Sequence, residues 1–227
     1  MQLSEKHRPR SWSELAGHDK VKKQIDNLRQ RGLGGRAFFI SGKTGNGKTT
    51  IARLIAREVA SENAIVEVNA KQVDKDFIED MERSYHYRVL APAGEPTGRA
   101  FIINEVHGLR KDSLLRLLTA LEPIEFNGAL PPHVVIIFTT TKIGAESLFE
   151  EFDDAAPLIN RCAQIKLQER GQVEPLARRL KEIAVEEGID GKPIEDYVKW
   201  FRKNPGSDMR AALQALDSGT LFADEDE

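Results

Sequence analysis

The residues Gly42-Lys43-Thr44-Gly45-Asn46-Gly47-Lys48-Thr49 fill the spacing Gly-x-x-x-x-Gly-Lys-[Ser/Thr]. Glycine takes backbone dihedrals closed to other residues, so successive N–H groups of such a loop can point inward at phosphate oxygens, beside the positive end of a following helix. Lys48 would neutralise charge on the β/γ-phosphates, Thr49 would offer its hydroxyl to Mg²⁺, and Thr50 closes the set of nucleotide-binding residues. The ligand this chemistry predicts is a nucleoside triphosphate, ATP, with Mg²⁺.

Such a loop reports binding; hydrolysis also needs a metal ligand and a group that orients or deprotonates water. Both are expected at the end of a neighbouring strand, and Phe101-Ile102-Ile103-Asn104-Glu105 has that layout, four strand residues and a polar pair. Glu105 would activate the attacking water. Asn104 stands on the metal side, where an aspartate is usual, which removes one negative charge from the Mg²⁺ shell. Its amide oxygen can still accept a hydrogen bond from a metal-bound water, so the expectation is binding with weaker metal affinity and slow turnover. Val134-Val135-Ile136-Ile137-Phe138-Thr139-Thr140-Thr141 is another apolar run ending in hydroxyls, one of which could hold the water or the γ-phosphate.

Strands must bring these residues together. Five β-rich apolar runs, Ala37 to Ser41, Ile65 to Asn69, Ala100 to Asn104, Val134 to Thr139 and Ala163 to Leu167, alternate with helical patterns. The helices are predicted at Lys20 to Arg31, Lys48 to Ala60, Lys75 to Ser84, Ser113 to Leu121 and Gly144 to Glu150, with Asp112 and Ser113 as N-cap candidates. The alternation predicts the α/β class, a P-loop NTPase built on a five-stranded parallel sheet with helices on both faces. After Leu167 the pattern is helical only, at Val173 to Glu187, Ile194 to Lys203 and Ser207 to Leu216, a small helical lid domain. The expected division is 1–167 for the nucleotide-binding domain, 168–220 for the three-helix unit and 221–227 for a disordered acidic tail. Ala91 to Gly98 reads as a turn-rich, mobile loop.

Composition narrows the function. Of 227 residues 40% are hydrophobic and 30% charged, and no apolar run approaches the roughly 18 residues that span a bilayer. No export signal is read at Met1 to Arg10, so the expected location is the cytoplasm or nucleoid. Cys162 is the sole cysteine, which excludes an internal disulfide and a cysteine-cluster zinc site. A net charge of −3 excludes a strongly basic nucleic-acid-coating protein, although basic stretches at Lys6 to Arg10, Lys20 to Lys23 and Arg29 to Arg31 could touch phosphates.

The order of these motifs resembles an AAA+ ATPase, and within that class the chain is similar to clamp-loader small subunits of the replication factor C and DNA polymerase III gamma/tau type. Glu5-Lys6-His7-Arg8-Pro9-Arg10 resembles their Glu-Lys-Tyr-Arg-Pro segment, Asn160-Arg161-Cys162 their Ser-Arg-Cys motif, and Gly206-Ser207-Asp208-Met209-Arg210 their Gly-Asp-Met-Arg lid signature. The resemblance implies that His7, Arg8 and Pro9 lie along the adenine. It further implies that Thr140 is a first sensor, Arg210 a second sensor in cis, and Arg161 a finger reaching a neighbouring subunit's γ-phosphate. The implied partners are an oligomer of AAA+ subunits, a sliding clamp and primed DNA, with Phe77, Tyr85 and Tyr87 in the region that grips the clamp. The similarity lacks the collar domain, since the sequence ends where a collar would begin, and it departs from the family pattern at His7, Asn104 and Asn160. Two alternatives stand beside clamp loading: an AAA+ switch such as a helicase loader acting on another target, and a weakly catalytic nucleotide-binding scaffold.

Overall fold

Ile102, Ile103, Phe38, Ile40 and every residue of Val134–Thr140 are buried, as strands covered on both faces require. The computed structural model describes residues 2–142, 155–168, 171–189, 191–206 and 208–222. The helix expected over Gly144 to Glu150 and the acidic tail at 223–227 lie outside the described residues. Contacts gather the chain into two units, one of Met1–Lys22, Thr44–Gly47 and Gln168–Glu227, the other of Lys23–Lys43 and Lys48–Leu167.

The second unit is built on five strands, β1 (Arg36–Ser41), β2 (Ile65–Asn69), β3 (Arg99–Asn104), β4 (Val134–Thr140) and β5 (Cys162–Lys166). All pair in parallel, in the order β2-β3-β4-β1-β5. Burial follows that order. The three central strands are buried along nearly their whole length, whereas the edges β2 and β5 mix exposed and half-buried positions. Each expected strand is present, displaced by at most one residue at an end.

Helices of the second unit cover the sheet, whereas Leu3–Lys6 belongs to the first unit. Numbered along the whole chain, α1 is Leu3–Lys6, α2 Asp19–Arg29, α3 Lys48–Arg57, α4 Lys75–Ser84, α5 Lys111–Ala120 and α6 Ala155–Asn160. In α3, Ile51, Ala52, Leu54, Ile55 and Ala56 are buried at helical spacing. The expected extension of α3 to Ala60 does not form: the chain tightens through Glu58 N to Ile55 O and Val59 N to Ala56 O bonds, and Ala60 makes an antiparallel bridge to Thr97. That bridge ties the far end of the turn-rich loop at Ala91 to Gly98.

One sequence expectation is corrected at the start of α5. Its N-cap is Arg110, without a side-chain cap, rather than Asp112 or Ser113. Ser113 is buried and donates to the Val73 carbonyl at 2.7 Å, so its hydroxyl serves a tertiary contact and not the helix start. Tyr85 is buried and donates to the Ala120 carbonyl at 3.1 Å, and Phe77 packs edge-on against Phe101, which leaves Tyr87 as the exposed aromatic of the three.

The first unit holds the helical remainder: α7 (Val173–Glu186), α8 (Ile194–Lys203) and α9 (Met209–Asp217). Leu180, Ile183, Tyr197, Phe201, Leu213 and Leu216 form its core, and Leu3 of α1 packs with them. Asp208 caps α9 by accepting from Ala211 N at 2.9 Å. Among the described residues no helix is long and apolar enough to cross a membrane.

Leu117 of α5 is fully buried in the sheet core. Leu117→Ala is expected to lower unfolding free energy by about 2–5 kcal/mol in urea titrations, the range for a leucine side chain removed from a packed interior.

Candidate functional site

Parallel strands end together, and β1, β4 and β3 deliver their last residues to one edge of the second unit. Ser41 is in register with Thr140, and Gly42 N donates to Thr140 O at 3.3 Å. Gly42 is packed so closely that a Cβ there would come within 2.9 Å of Leu167 Cβ. Beyond it the chain turns into α3, whose first residue is Lys48. The Lys48 amine is buried and donates to Gly42 O at 3.0 Å and Lys43 O at 2.8 Å, so a positive charge is fixed beside the loop that precedes the helix.

Thr49 faces β3. Its Oγ1 lies 3.5 Å from Asn104 Oδ1, which also accepts from Thr139 Oγ1 at 2.8 Å. The other end of the amide, Asn104 Nδ2, donates to Glu67 Oε1 at 2.8 Å, and Arg53 Nε holds Glu67 Oε2 at 2.7 Å. Glu105 follows in the left-handed region, φ 56° and ψ 51°, which costs a non-glycine residue about 1–2 kcal/mol. The bend aims its carboxylate at the end of β4, where it accepts from Thr141 Oγ1 at 3.0 Å and lies 3.3 Å from His107 Nδ1. The same imidazole nitrogen is 3.2 Å from Oγ1 of the buried Thr140. Of the predicted residues, Lys48, Thr49, Asn104, Glu105 and Thr140 are thus gathered at one strand edge, and Thr50 sits half-buried on α3.

The donor set suits Mg²⁺. A threonine hydroxyl and an amide oxygen are hard ligands, and a small cation that retains several waters needs few protein groups besides phosphate. No group of three or more His, Cys, Asp or Glu side chains that could hold a metal occurs among the described residues.

Thr44–Gly47 belong to the first unit. Gly45 and Gly47 both have φ of +79°, a conformation glycine takes without strain, and a Cβ on Gly45 would collide with the Asp208 carboxylate. Asn46 Nδ2 is buried without a hydrogen-bond partner among the described residues, a donor suited to a phosphate oxygen. His18 Nε2 lies 3.8 Å from where a Gly47 Cβ would stand; burial first, then the nearby Lys22 charge, holds this histidine's pKa below its ordinary value. His7 and Lys6 both bond the Glu187 carboxylate, Arg8 bonds Glu5, and Pro9 is half-buried. The Lys6 and His7 hydrogen bonds keep the Glu187 carboxyl below the usual range.

The two remaining arginines lie at helix ends. Arg161 follows α6, donating to Pro157 O at 3.1 Å and pairing with Glu122 at 2.9 Å. Arg210 is exposed in the first turn of α9. Glu67, Arg53 and His107, in contrast, join the site without having been anticipated. The signal for Glu67 was present, an acid in the middle of the apolar β2 run, where carboxylates are disfavoured.

Residues 38–169, more than half of the chain, match the ATPase family associated with various cellular activities (AAA), and the chain belongs to that family. It is 28% identical to DNA polymerase III subunit gamma of Buchnera aphidicola subsp. Acyrthosiphon pisum, a match covering 95% of this chain and 60% of that protein. It is also 28% identical to replication factor C small subunit 1 of Pyrobaculum islandicum, covering 93% of this chain and 60% of that one. The chain therefore spans less than two thirds of the length of these relatives. The solved structure of the Thermotoga maritima RuvB Holliday junction branch migration motor superposes with a TM-score of 0.68 at 22% identity, over 93% of this chain and 64% of that one, a likeness of fold.

Gly45 and Gly94 both have positive φ, but only Gly45 has a neighbour within reach of an added Cβ. Gly45→Ala is expected to lower the melting temperature more than Gly94→Ala. A double-mutant cycle with Asp208→Ala should assign the excess to the Asp208 contact as a coupling of about 0.5 kcal/mol or more.

Proposed function

We propose that this chain binds ATP with Mg²⁺ at Gly42–Thr49 and hydrolyses it as a clamp-loader-like AAA+ subunit of a DNA-replication assembly. The observation that carries the reading is the convergence of the buried Lys48 amine, the Thr49 hydroxyl, the Asn104 amide and the Glu105 carboxylate at the shared end of β1, β3 and β4. Similarity to a DNA polymerase III gamma subunit and a replication factor C small subunit supports the biological setting.

In this mechanism Lys48 and the loop amides hold the phosphates, and Mg²⁺, when bound beside Thr49 and Asn104, would supply charge neutralisation. Thr49 Oγ1 and Asn104 Oδ1 face the metal side. Glu105 takes the proton of the attacking water, and Thr140, linked to the same imidazole as Glu105, senses the γ-phosphate. Arg161 acts in trans on a neighbour's γ-phosphate and Arg210 in cis from the lid, so turnover depends on assembly into an oligomer with clamp and primed DNA. His7, Arg8 and Pro9 line the adenine. In domain terms, 1–167 carry the ATPase and 168–220 the lid.

A second reading, a weakly catalytic nucleotide-binding scaffold, is favoured by one feature: Asn104 brings no charge to the metal side. Turnover separates the two readings. Glu105→Gln is expected to retain ATP affinity while kcat falls by about 10²-fold or more, the contribution of a positioned general base; a wild type that binds ATP without turnover favours the scaffold. Stimulation of ATPase by primed DNA and sliding clamp together, with an ATP-dependent rise in solution mass, tests the assembly. Absence of both counts against clamp loading.

A further inference from the structure

The Asn104 amide can face Thr49 with either its oxygen or its NH₂ group, and only the oxygen suits a cation. The two hydroxyls around it do not choose, because Thr139 and Thr49 can each donate or accept. The choice is made on the far side. Arg53 is a donor only, and it occupies Glu67 Oε2 at 2.7 Å; Glu67 Oε1 is an acceptor only, and it takes Asn104 Nδ2 at 2.8 Å. Donor meets acceptor at each step from Arg53 to Asn104, which leaves Oδ1 for Thr49.

We infer that Glu67 is a positioning residue that fixes the sense of the Asn104 amide, so that a carboxylate on β2 stands behind an amide at the end of β3. The negative charge remains in the cluster, one strand further from Thr49, and acts through the amide. This inference rests on the proposed nucleotide site and adds the group that makes Asn104 serviceable there. Partners that orient a metal-side ligand in this way typically control metal affinity by 10–100-fold.

The arrangement makes an unusual pattern of substitutions necessary. In Glu67→Gln the side chain keeps its shape, but Arg53 still requires an oxygen, so the new NH₂ turns toward Asn104. The Asn104 amide must then invert, and its own NH₂ faces Thr49. Asn104→Asp alone sets two carboxylates against each other across the 2.8 Å contact. The double exchange Glu67→Gln/Asn104→Asp restores every donor–acceptor pair: Arg53 to the Gln oxygen, the Gln NH₂ to Asp, and the second Asp oxygen toward Thr49.

The test is ATP binding by titration calorimetry, once with Mg²⁺ and once with EDTA, on wild type, both single variants and the exchanged pair, with melting temperatures alongside. The readout is the gain in ATP affinity that Mg²⁺ confers. Glu67→Gln should lose about 10-fold or more of that gain with its EDTA affinity retained, and the exchanged pair should recover it. The inference is overturned if Glu67→Gln keeps the wild-type Mg²⁺ gain, if both affinities fall together, or if the exchanged pair does no better than Glu67→Gln. Should Glu67→Gln fail to fold, an exchanged pair that folds with at least the wild-type gain supports the inference, and one without it overturns it. Failure of the wild type to bind ATP in either condition would be recognisable as the failure of the nucleotide site itself.

Discussion

All five strands run the same way, and the second unit's chemistry follows from that constraint. A parallel sheet ends every strand on one edge, and two-sided burial keeps polar side chains out of the interiors of the central strands β1, β3 and β4. The first positions free to carry polar groups are therefore the strand ends. Ser41 and Thr140 in register, Asn104 at the end of β3 and Glu105 just past it are neighbours because Phe39, Phe138 and Ile103 behind them are fixed in the core. Apolar packing sets the separations; the polar residues inherit them.

Within that frame the charges are arranged to be held, not merely placed. Lys48 is a buried cation whose amine donates to two carbonyls of its own loop, which helps to set its position. Of the two carboxylates in the cluster, Glu67 lies side-on to Asn104 and is tied to Arg53, and Glu105 meets Thr141 at the end of β4. The Lys48 amine thus stays beside the loop, and the Glu67 carboxylate stays on β2. Inside a protein such separation matters, because the effective dielectric is low enough for each pair to polarise the next.

The sheet was legible in the sequence because burial on both faces writes itself as continuous apolar runs; β1, β3 and β4 carry the plainest ones. The loop Gly42–Thr49 was legible from the spacing of Gly42, Gly47, Lys48 and Thr49, and of these Gly47 has the positive φ that glycine takes without strain. What was not legible depends on partners distant in the chain. Ser113 looks like a cap until Val73, 40 positions earlier, claims its hydroxyl. Tyr85 looks available until Ala120 takes its phenol. Glu67 gains its meaning only when β2 pairs with β3 and puts it opposite Ile102, two residues before Asn104. The role proposed for Arg161 belongs to another category, since a role in trans would be completed by atoms of a different chain.

Glu105 and Arg161 illustrate two ways of keeping a charged group ready. Glu105 is held by backbone: its left-handed conformation is retained because Gly108 N bonds Glu105 O at 2.8 Å and Val106 is locked in the core, so the strain cannot relax without unpacking the sheet. Arg161 is held by solvent-exposed pairing with Glu122, side chains 35% and 48% exposed, and exposed pairs are worth only about 0–1 kcal/mol. A phosphate offers a guanidinium stronger, bidentate bonds than that. The physical asymmetry matches the proposed division of labour: the group that must activate water is fixed by the fold, and the group that must answer to a neighbour is free to leave its partner at small cost.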